Sequence, residues 1–187
     1  MHQLMIVQVS TRPTRASDPV AKWVVDHAKA HGKLDIVFVD LREEALPVFD
    51  EPKHPRLGQY EHPHTIRWAA KVRAADAFLF VTPEYNFGMP PSLLNALTYL
   101  SAEWAYKPAG FVSYGGVSAG TRAQQMAKGP LTTLKVMPIP EAVSVPFFEK
   151  QIQNGVFAPA ELQAKALATV LDELEKWAGA LATIRKA

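Results

Sequence analysis

Three segments hold hydroxyl, guanidinium, aromatic and glycine residues at a density that a plain connector does not need. The first is "VSTRPTRASDPVAKW", residues 9–23, with the hydroxyls of Ser10, Thr11, Thr14 and Ser17, the guanidinium groups of Arg12 and Arg15, and a helix start near Asp18-Pro19. Pro just inside a helix is a usual N-terminal signal. A helix N-terminus presents unpaired N–H groups and partial positive charge, so it accepts a phosphate readily. Hydroxyl and Arg donors add charge-assisted hydrogen bonds. The segment contains no glycine, so it is neither a Walker loop nor a GxGxxG turn. The same residues also read as an ordinary Ser/Thr/Asp-capped helix start with solvated arginines.

The second segment is "FLFVTPEYNFGMPPSLLNALTYL", residues 78–100. Pro83 ends an apolar run, Pro90-Pro91 suit the start of a helix, and Glu84, Tyr85, Asn86, Phe87 and Gly88 turn the chain between them. Such a turn can offer backbone N–H and C=O groups to a planar heterocycle while Tyr85 or Phe87 packs nearby. The third is "SYGGVSAGTRAQQM", residues 113–126, where Ser113, Gly115, Gly116 and Gly120 follow a buried run. Glycines there let the backbone approach a flat ligand or adopt positive φ. Each of the two also reads as a merely structural connection. Taken together, the three segments supply phosphate donors on one side of a crevice and two flat-ligand loops on the other, the layout for a nucleotide with a phosphate tail and a planar ring.

The elements that must bring them together follow from periodicity. "LMIVQVS" (4–10), "LDIVFVDL" (34–41), "AFLFVTP" (77–83) and "AGFVSYG" (109–115) are continuous apolar, β-branched runs, which suit strands buried on both faces of a parallel sheet. A fifth run, 136–146, carries Pro138 and Pro140, which demotes it to an edge or irregular strand. Amphipathic stretches alternate with the runs. Val20, Trp23, Val24, His27 and Ala28 mark the first, Ile66, Ala69, Ala70 and Arg73 the second, and Leu93, Leu94, Leu97 and Leu100 the third. Leu167, Val170, Leu171, Leu174, Trp177, Ala178 and Leu181 repeat at helical spacing in the last, the stripe of a helix packed on a sheet. Strand–helix alternation predicts an α/β fold with right-handed crossovers. Five strands suit a flavodoxin-like three-layer sandwich with a five-stranded parallel sheet of order 2-1-3-4-5. Ligands then sit beyond the carboxyl ends of the strands, where the order reverses.

Composition narrows the function classes. The length of 187 residues predicts one domain over 1–187, with 48% hydrophobic and 20% charged residues. A net charge of +2 without a dense Lys/Arg run argues against a nucleic-acid partner. With no cysteine, disulfides, thiolate metal sites, iron–sulfur clusters and cysteine nucleophiles are excluded. "MHQLMIVQVS" is too short to span a membrane and lacks a signal-peptide pattern, so no membrane insertion and a cytoplasmic location are expected. Residues 47–64, with four prolines and three histidines, predict a surface-hugging loop. His62 and His64 within it read as solvated rather than metal-bound, and no metal site is expected.

"STRPTR", "PEYNFGMPPSLLNAL" with Asn95, and "SYGGVSAG", in that order, resemble the NADPH-dependent FMN reductase family. Its members are flavodoxin-like proteins with azo-, quinone- and chromate-reducing relatives. The likeness covers roughly the first 130 residues, and the remainder fits the family's last strand and terminal helix. The resemblance implies FMN as cofactor and NADPH or NADH as reductant, with ping-pong transfer to a small-molecule acceptor. It implies that Ser10, Arg12 and Ser17 hold the FMN phosphate, with Thr11 and Thr14 assisting. Pro83, Glu84, Tyr85 and Asn86 would line the flavin ring and ribityl chain. Gly88 belongs to the same turn, where a backbone N–H would steady the ring. Ser113, Gly115 and Gly116 would close the other side, and Arg15 is a candidate for a nicotinamide-nucleotide phosphate. No catalytic side chain is required for flavin-centred chemistry. Val9 stands where the family usually has Gly and is expected to crowd the phosphate path; Leu94 and Thr98 replace its frequent Lys and Asp. A homodimer or homotetramer is expected, with exposed apolar residues around Trp104 and Tyr106 and the 47–64 loop at a two-fold interface. A flavodoxin-like electron carrier and a non-catalytic regulatory protein are the alternatives. Twenty Lys plus Arg against 18 Asp plus Glu give no acidic docking field for the carrier.

Overall fold

The computed structural model describes residues 1–185; Lys186 and Ala187, the end of the expected 1–187 domain, lie outside the described residues. The chain runs β1 (His2–Gln8), α1 (Asp18–His31), β2 (Leu34–Asp40), α2 (Leu41–Glu44), α3 (Pro63–Ala74), β3 (Ala77–Pro83), α4 (Pro91–Thr98), β4 (Pro108–Gly115), α5 (Thr121–Thr133) and β5 (Met137–Pro146). A short hairpin, β6 (Ile152–Gln153) and β7 (Val156–Phe157), precedes the long α6 (Glu161–Arg185). The main sheet is parallel with order β2-β1-β3-β4-β5. This is the flavodoxin-like order expected from the alternating pattern.

Burial explains which runs became central. Every residue of β3 is buried, whereas β2 and β5 alternate buried and exposed positions at the two edges. Pro138 and Pro140 lie on the β5 edge, and the β4–β5 register shifts between Ala109 and Phe111. Met5, Val7, Phe78, Phe80 and Phe111 face α3–α5, with Trp68, Val72, Leu93, Leu97 and Leu131 in one core. Leu4, Ile6, Leu79 and Val112 face α1 and α6, with Val24, Val170 and Leu174 in the other. Full burial stabilises each such side chain by roughly 1.5–3 kcal/mol.

Two helix stripes turn differently from the sequence pattern. In α3 the buried face is Thr65, Trp68, Ala69 and Val72, while Ile66 is 52% exposed and Ala70 and Arg73 face outward. Trp68 sets this rotation: its ring fills the core and its Nε1 donates to the Ala96 carbonyl at 3.0 Å. A buried indole that finds both an apolar slot and an acceptor outweighs an aliphatic stripe. In α4, Leu93 and Leu97 are buried and Leu94 is partly exposed.

The expected 47–64 loop ends at His62, because Pro63 and His64 open α3, and it contains one 3-10 turn, Pro55–Leu57. His62 and His64 are not free in solvent. Their rings stack 5.2 Å apart, and their Nε2 atoms lie 3.1 and 3.0 Å from the Asp50 carbonyl and Oδ1. Buried Glu51 accepts from the backbone N–H groups of Glu61 and His62, which ties the loop ends together. Trp104 is buried rather than exposed, packed against Trp68 and Phe78 with ring centroids 5.9 and 4.8 Å away. Among the described residues no helix is long and apolar enough to cross a membrane.

Candidate active site

The turns after β1, β3 and β4 meet at the carboxyl ends of the central strands, where strand order reverses. They enclose a cavity of about 220 Å³.

The β1–α1 loop is shaped by Arg15. Its side chain is 4% exposed and forks onto Asp40 at the end of β2, with Nη1–Oδ1 2.7 Å and Nη2–Oδ2 2.5 Å. Nη1 also donates to the Ser10 carbonyl at 2.6 Å, and Nε donates to Asp18 Oδ1 at 2.5 Å. The Asp40 hydrogen bond raises the Arg15 pKa above its ordinary value, against the lowering effect of burial. Arg15 is therefore a strut of the loop, with Nε, Nη1 and Nη2 all engaged by Asp18, Ser10 and Asp40, while it also lines the cavity. Arg12, exposed on the same loop, has no carboxylate within ion-pair distance among the described residues. Ser17 sits at the N-cap of α1 without a side-chain cap bond. The first-turn N–H groups are thus left to a ligand or to solvent.

The β3–α4 turn is a two-residue hairpin. Tyr85 N–H donates to Gly88 O at 3.0 Å and Gly88 N–H donates to Tyr85 O at 2.9 Å, with φ of 49° at Asn86 and 67° at Phe87. Two successive left-handed residues make a type I′ geometry, tolerable for Asn and strained by about 1–2 kcal/mol for Phe. Among the described residues the N–H groups of Asn86 and Phe87 have no backbone acceptor. A Cβ at Gly88 would lie 2.8 Å from Met126 Sδ, on a half-exposed flexible side chain that can give way. Glu84, with its side chain 7% exposed, does not hang in solvent. It accepts from Arg122 N–H at 3.1 Å and Nε at 2.6 Å, at the start of α5.

The β4–α5 turn closes the third side. Gly120 adopts φ of 76°, where a Cβ would stand 2.7 Å from the Tyr114 carbonyl oxygen. Gly116 O accepts from Ala119 and Phe147 N–H groups, joining this turn to the end of β5.

Ser10, Arg12, Thr14, Ser17, Pro83, Glu84, Tyr85 and Gly115 all line the cavity. Thr11 faces a separate groove of about 650 Å³ beside Val48, Phe49 and Asn95. Asn86 and Gly88 build the turn without lining the cavity, Gly116 lies outside it, and Ser113 is fully buried with an unpartnered Oγ among the described residues. Val9 is also fully buried and belongs to the core beneath, so its side chain does not crowd the cavity. Arg15 and Ala16 line it too, and sequence reasoning missed Tyr114, Phe148 and Glu149, which complete the lining. Tyr114 stacks on Phe148 at 4.9 Å; burial raises its hydroxyl pKa, and the Ser17 and Ser10 hydroxyls beside it act against that rise without forming a close hydrogen bond. The sequence signal for Tyr114 was strand alternation, which places it on the face opposite Ser113.

Ser10 Oγ and Tyr85 Oη are hydrogen-bonded at 2.8 Å, linking the first and second turns. Hydroxyls, an unpaired guanidinium, an uncapped helix N-terminus and a buried orphan phenol form a donor-rich seat suited to a phosphate. Another cavity, of about 880 Å³, lies at the opposite ends of the strands. There Arg73 and Arg185 pair with Glu103 and Asp76, Lys107 caps the Val72 and Arg73 carbonyls, and Lys135 bonds Tyr106. Among the described residues no three His, Asp or Glu side chains gather as a metal site.

Comparison with known proteins accords with this geometry. The family model described as NADPH-dependent FMN reductase matches residues 3–150. An NAD(P)H-dependent FMN reductase of Schizosaccharomyces pombe is 37% identical over 161 residues, 84% of this chain and 80% of that protein. A probable NADPH:quinone oxidoreductase of rice, Oryza sativa subsp. japonica, is 51% identical over 57 residues, 29% of each chain. The structure of FerB, a flavoenzyme NAD(P)H:(acceptor) oxidoreductase from Paracoccus denitrificans, superposes with a TM-score of 0.75 at 23% identity, covering 96% of this chain and 98% of FerB. With the model match spanning most of its length, the chain belongs to the NADPH-dependent FMN reductase family.

Proposed function

We propose that this protein is an FMN-dependent NAD(P)H oxidoreductase that works by a ping-pong cycle on a small acceptor: a quinone, a free flavin, an azo compound or a metal oxyanion. The observation that carries the reading is the cavity shared by Ser10, Arg12, Thr14 and Ser17 on one side and Pro83, Tyr85 and Gly115 on the other. The donor set fits a flavin nucleotide by its chemistry, since among the described residues Arg12 has no competing carboxylate and α1 begins without a side-chain cap.

Ser10, Arg12, Thr14, Ser17 and the α1 N-terminus hold the phosphate; Thr11, whose side chain faces the separate groove, assists only through its backbone. Ser10 Oγ can donate to a phosphate oxygen while accepting from the Tyr85 hydroxyl, so the 2.8 Å tie between the turns is compatible with binding. Pro83 and Tyr85 present one wall of the ring site, backed by the Asn86–Gly88 turn, and Gly115 the other, with Ser113 and Gly116 beside it in the chain. Gly88 N–H is spent within the hairpin. The N–H groups free to face the ring are therefore those of Asn86 and Phe87, which steady negative charge there. FMN supplies the chemistry when bound, accepting a hydride from NADPH and passing the electrons to the second substrate. The full chain acts as one domain in the cytoplasm. Val48, Leu57 and Leu94, exposed apolar residues on the 47–64 loop and α4, support assembly as a homodimer or homotetramer, which light scattering tests.

The test is the visible spectrum of purified protein reconstituted with FMN, followed by anaerobic NADPH. Bleaching of the flavin bands, and parallel double-reciprocal plots with a quinone acceptor, are expected. A protein that takes up no FMN, or binds it without bleaching, refutes the reading; the second result would leave an electron carrier.

A further inference from the structure

We infer that Glu84 and Arg122 are a positioning pair that fixes the Tyr85–Gly88 turn and balances the charge beside the bound flavin. This rests on the function proposed above. The turn holds two left-handed residues, neither of them glycine, so contacts outside it must hold it in place. One is the Ser10–Tyr85 bond, and the others run through Glu84. Its carboxylate takes two hydrogen bonds from one residue, Arg122 N–H at 3.1 Å and Nε at 2.6 Å, with Nη2 at ion-pair distance, 2.5 Å. The Arg122 guanidinium then covers the Phe87 ring, 3.8 Å from its centroid. One arginine at the start of α5 thus grips the residue before the hairpin and its second corner. A carboxylate at a helix N-terminus also meets the favourable end of the helix dipole.

The pair has an electrostatic consequence as well. Glu84 lines the cavity with its side chain 7% exposed, while Arg122 is 43% exposed. Arg122 removed, a bare carboxylate faces the cavity; Glu84 removed, a bare guanidinium stays on the turn. Negative charge near a group that gains electrons disfavours its reduction, and positive charge favours it. A clamp without this role shifts the flavin potential in the same direction whichever partner is lost.

The experiment measures FMN dissociation from apoprotein by fluorescence quenching and the midpoint potential of the bound flavin by dye equilibration. Glu84→Gln is isosteric, and Arg122 is half exposed, so both Glu84→Gln and Arg122→Gln are expected to fold. Each is expected to raise the FMN dissociation constant about tenfold, the loss of one charge-assisted hydrogen bond. The potential should rise in Glu84→Gln and fall in Arg122→Gln. Arg122→Lys, which keeps the charge and loses the fork and the ring contact, should restore the potential and leave the affinity weakened. Potentials that move the same way in both Gln variants, or unchanged affinity in both, overturn the pair while wild-type FMN uptake and NADPH bleaching stand. Wild-type protein that takes up no FMN overturns the pair and the proposed function together.

Discussion

Arg12 and Arg15 lie three residues apart in one loop, and the geometry predicts opposite phenotypes for their loss. Arg15 and Asp40 have side chains 4% and 9% exposed and are joined by two parallel bonds. Arg15→Gln strips a buried carboxylate of its partner, which costs roughly 3–5 kcal/mol. For a chain of this size that lowers the melting temperature by about 10 °C. Burial pushes the Asp40 pKa up, but hydrogen bonds from Arg15 and from Arg42 N–H outweigh it and hold the pKa below the ordinary 3.8. A depressed folded-state pKa contributes stability that is complete above the unfolded value and lost as pH falls through the folded one. Below about pH 4, the stability curve of Arg15→Gln should therefore flatten relative to wild type. Arg12→Gln, at an exposed residue without a carboxylate partner, should stay within about 0.5 kcal/mol of wild type. It should instead weaken FMN binding about ten- to hundredfold, the worth of a charge-assisted phosphate contact. Urea unfolding of both apoproteins and FMN titration of both variants read these quantities. Equal loss of stability in the two, or a stable Arg15→Gln, refutes the reasoning.

Three further outcomes follow from the same geometry. Burial lowers Lys107 to about 8, so the unfolded chain binds more protons above that value. Stability should then rise by about 1 kcal/mol from pH 8 to 9, above which Tyr60, Tyr99 and Tyr114, all raised in the fold, start to ionise in the unfolded chain and oppose it. Urea midpoints that stay flat across the window count against it. Gly120→Ala places a methyl 2.7 Å from the Tyr114 carbonyl oxygen at positive φ and should cost about 2 kcal/mol in calorimetric unfolding; a loss under about 0.5 kcal/mol contradicts the geometry. Gly88→Val meets only Met126 Sδ, on a half-exposed side chain that can yield. Its stability loss should be about 1 kcal/mol while FMN affinity falls tenfold or more, and intact affinity by fluorescence titration argues against a role for the turn.

Much of the frame was legible because strands buried on both faces leave little ambiguity. The run 77–83 coincides with β3. The run 4–10 overshoots β1, because Val9 still donates to Val81 O while β2 has already ended at Asp40, leaving it one neighbour instead of two. The stripe of α3 was misread because an indole with a carbonyl acceptor outcompetes Ile66 for the core. In the site, the Ser/Arg loop and the Pro-Glu-Tyr-Asn turn announced themselves by residue type. The fate of Arg15 did not, because its partner Asp40 stands 25 residues away at the end of another strand. Arg122 was equally hidden, since nothing local marks a helix-start arginine as the mate of a glutamate 38 residues earlier.

β3 is hydrogen-bonded along both edges, to β1 and to β4, and buried throughout. Its amide protons should exchange with solvent only when the whole sheet opens. Immediately after it, the Asn86 and Phe87 amides lie on a turn whose Phe87 is 73% exposed, and they have no backbone acceptor among the described residues. Their exchange needs no global opening and should be faster by orders of magnitude. The slowest and the fastest protons of the site thus stand within a few residues of each other on one continuous backbone. Ligand occupancy becomes readable as slowed deuterium uptake at Asn86 and Phe87 alone, with the β3 amides as an internal reference that occupancy leaves unchanged.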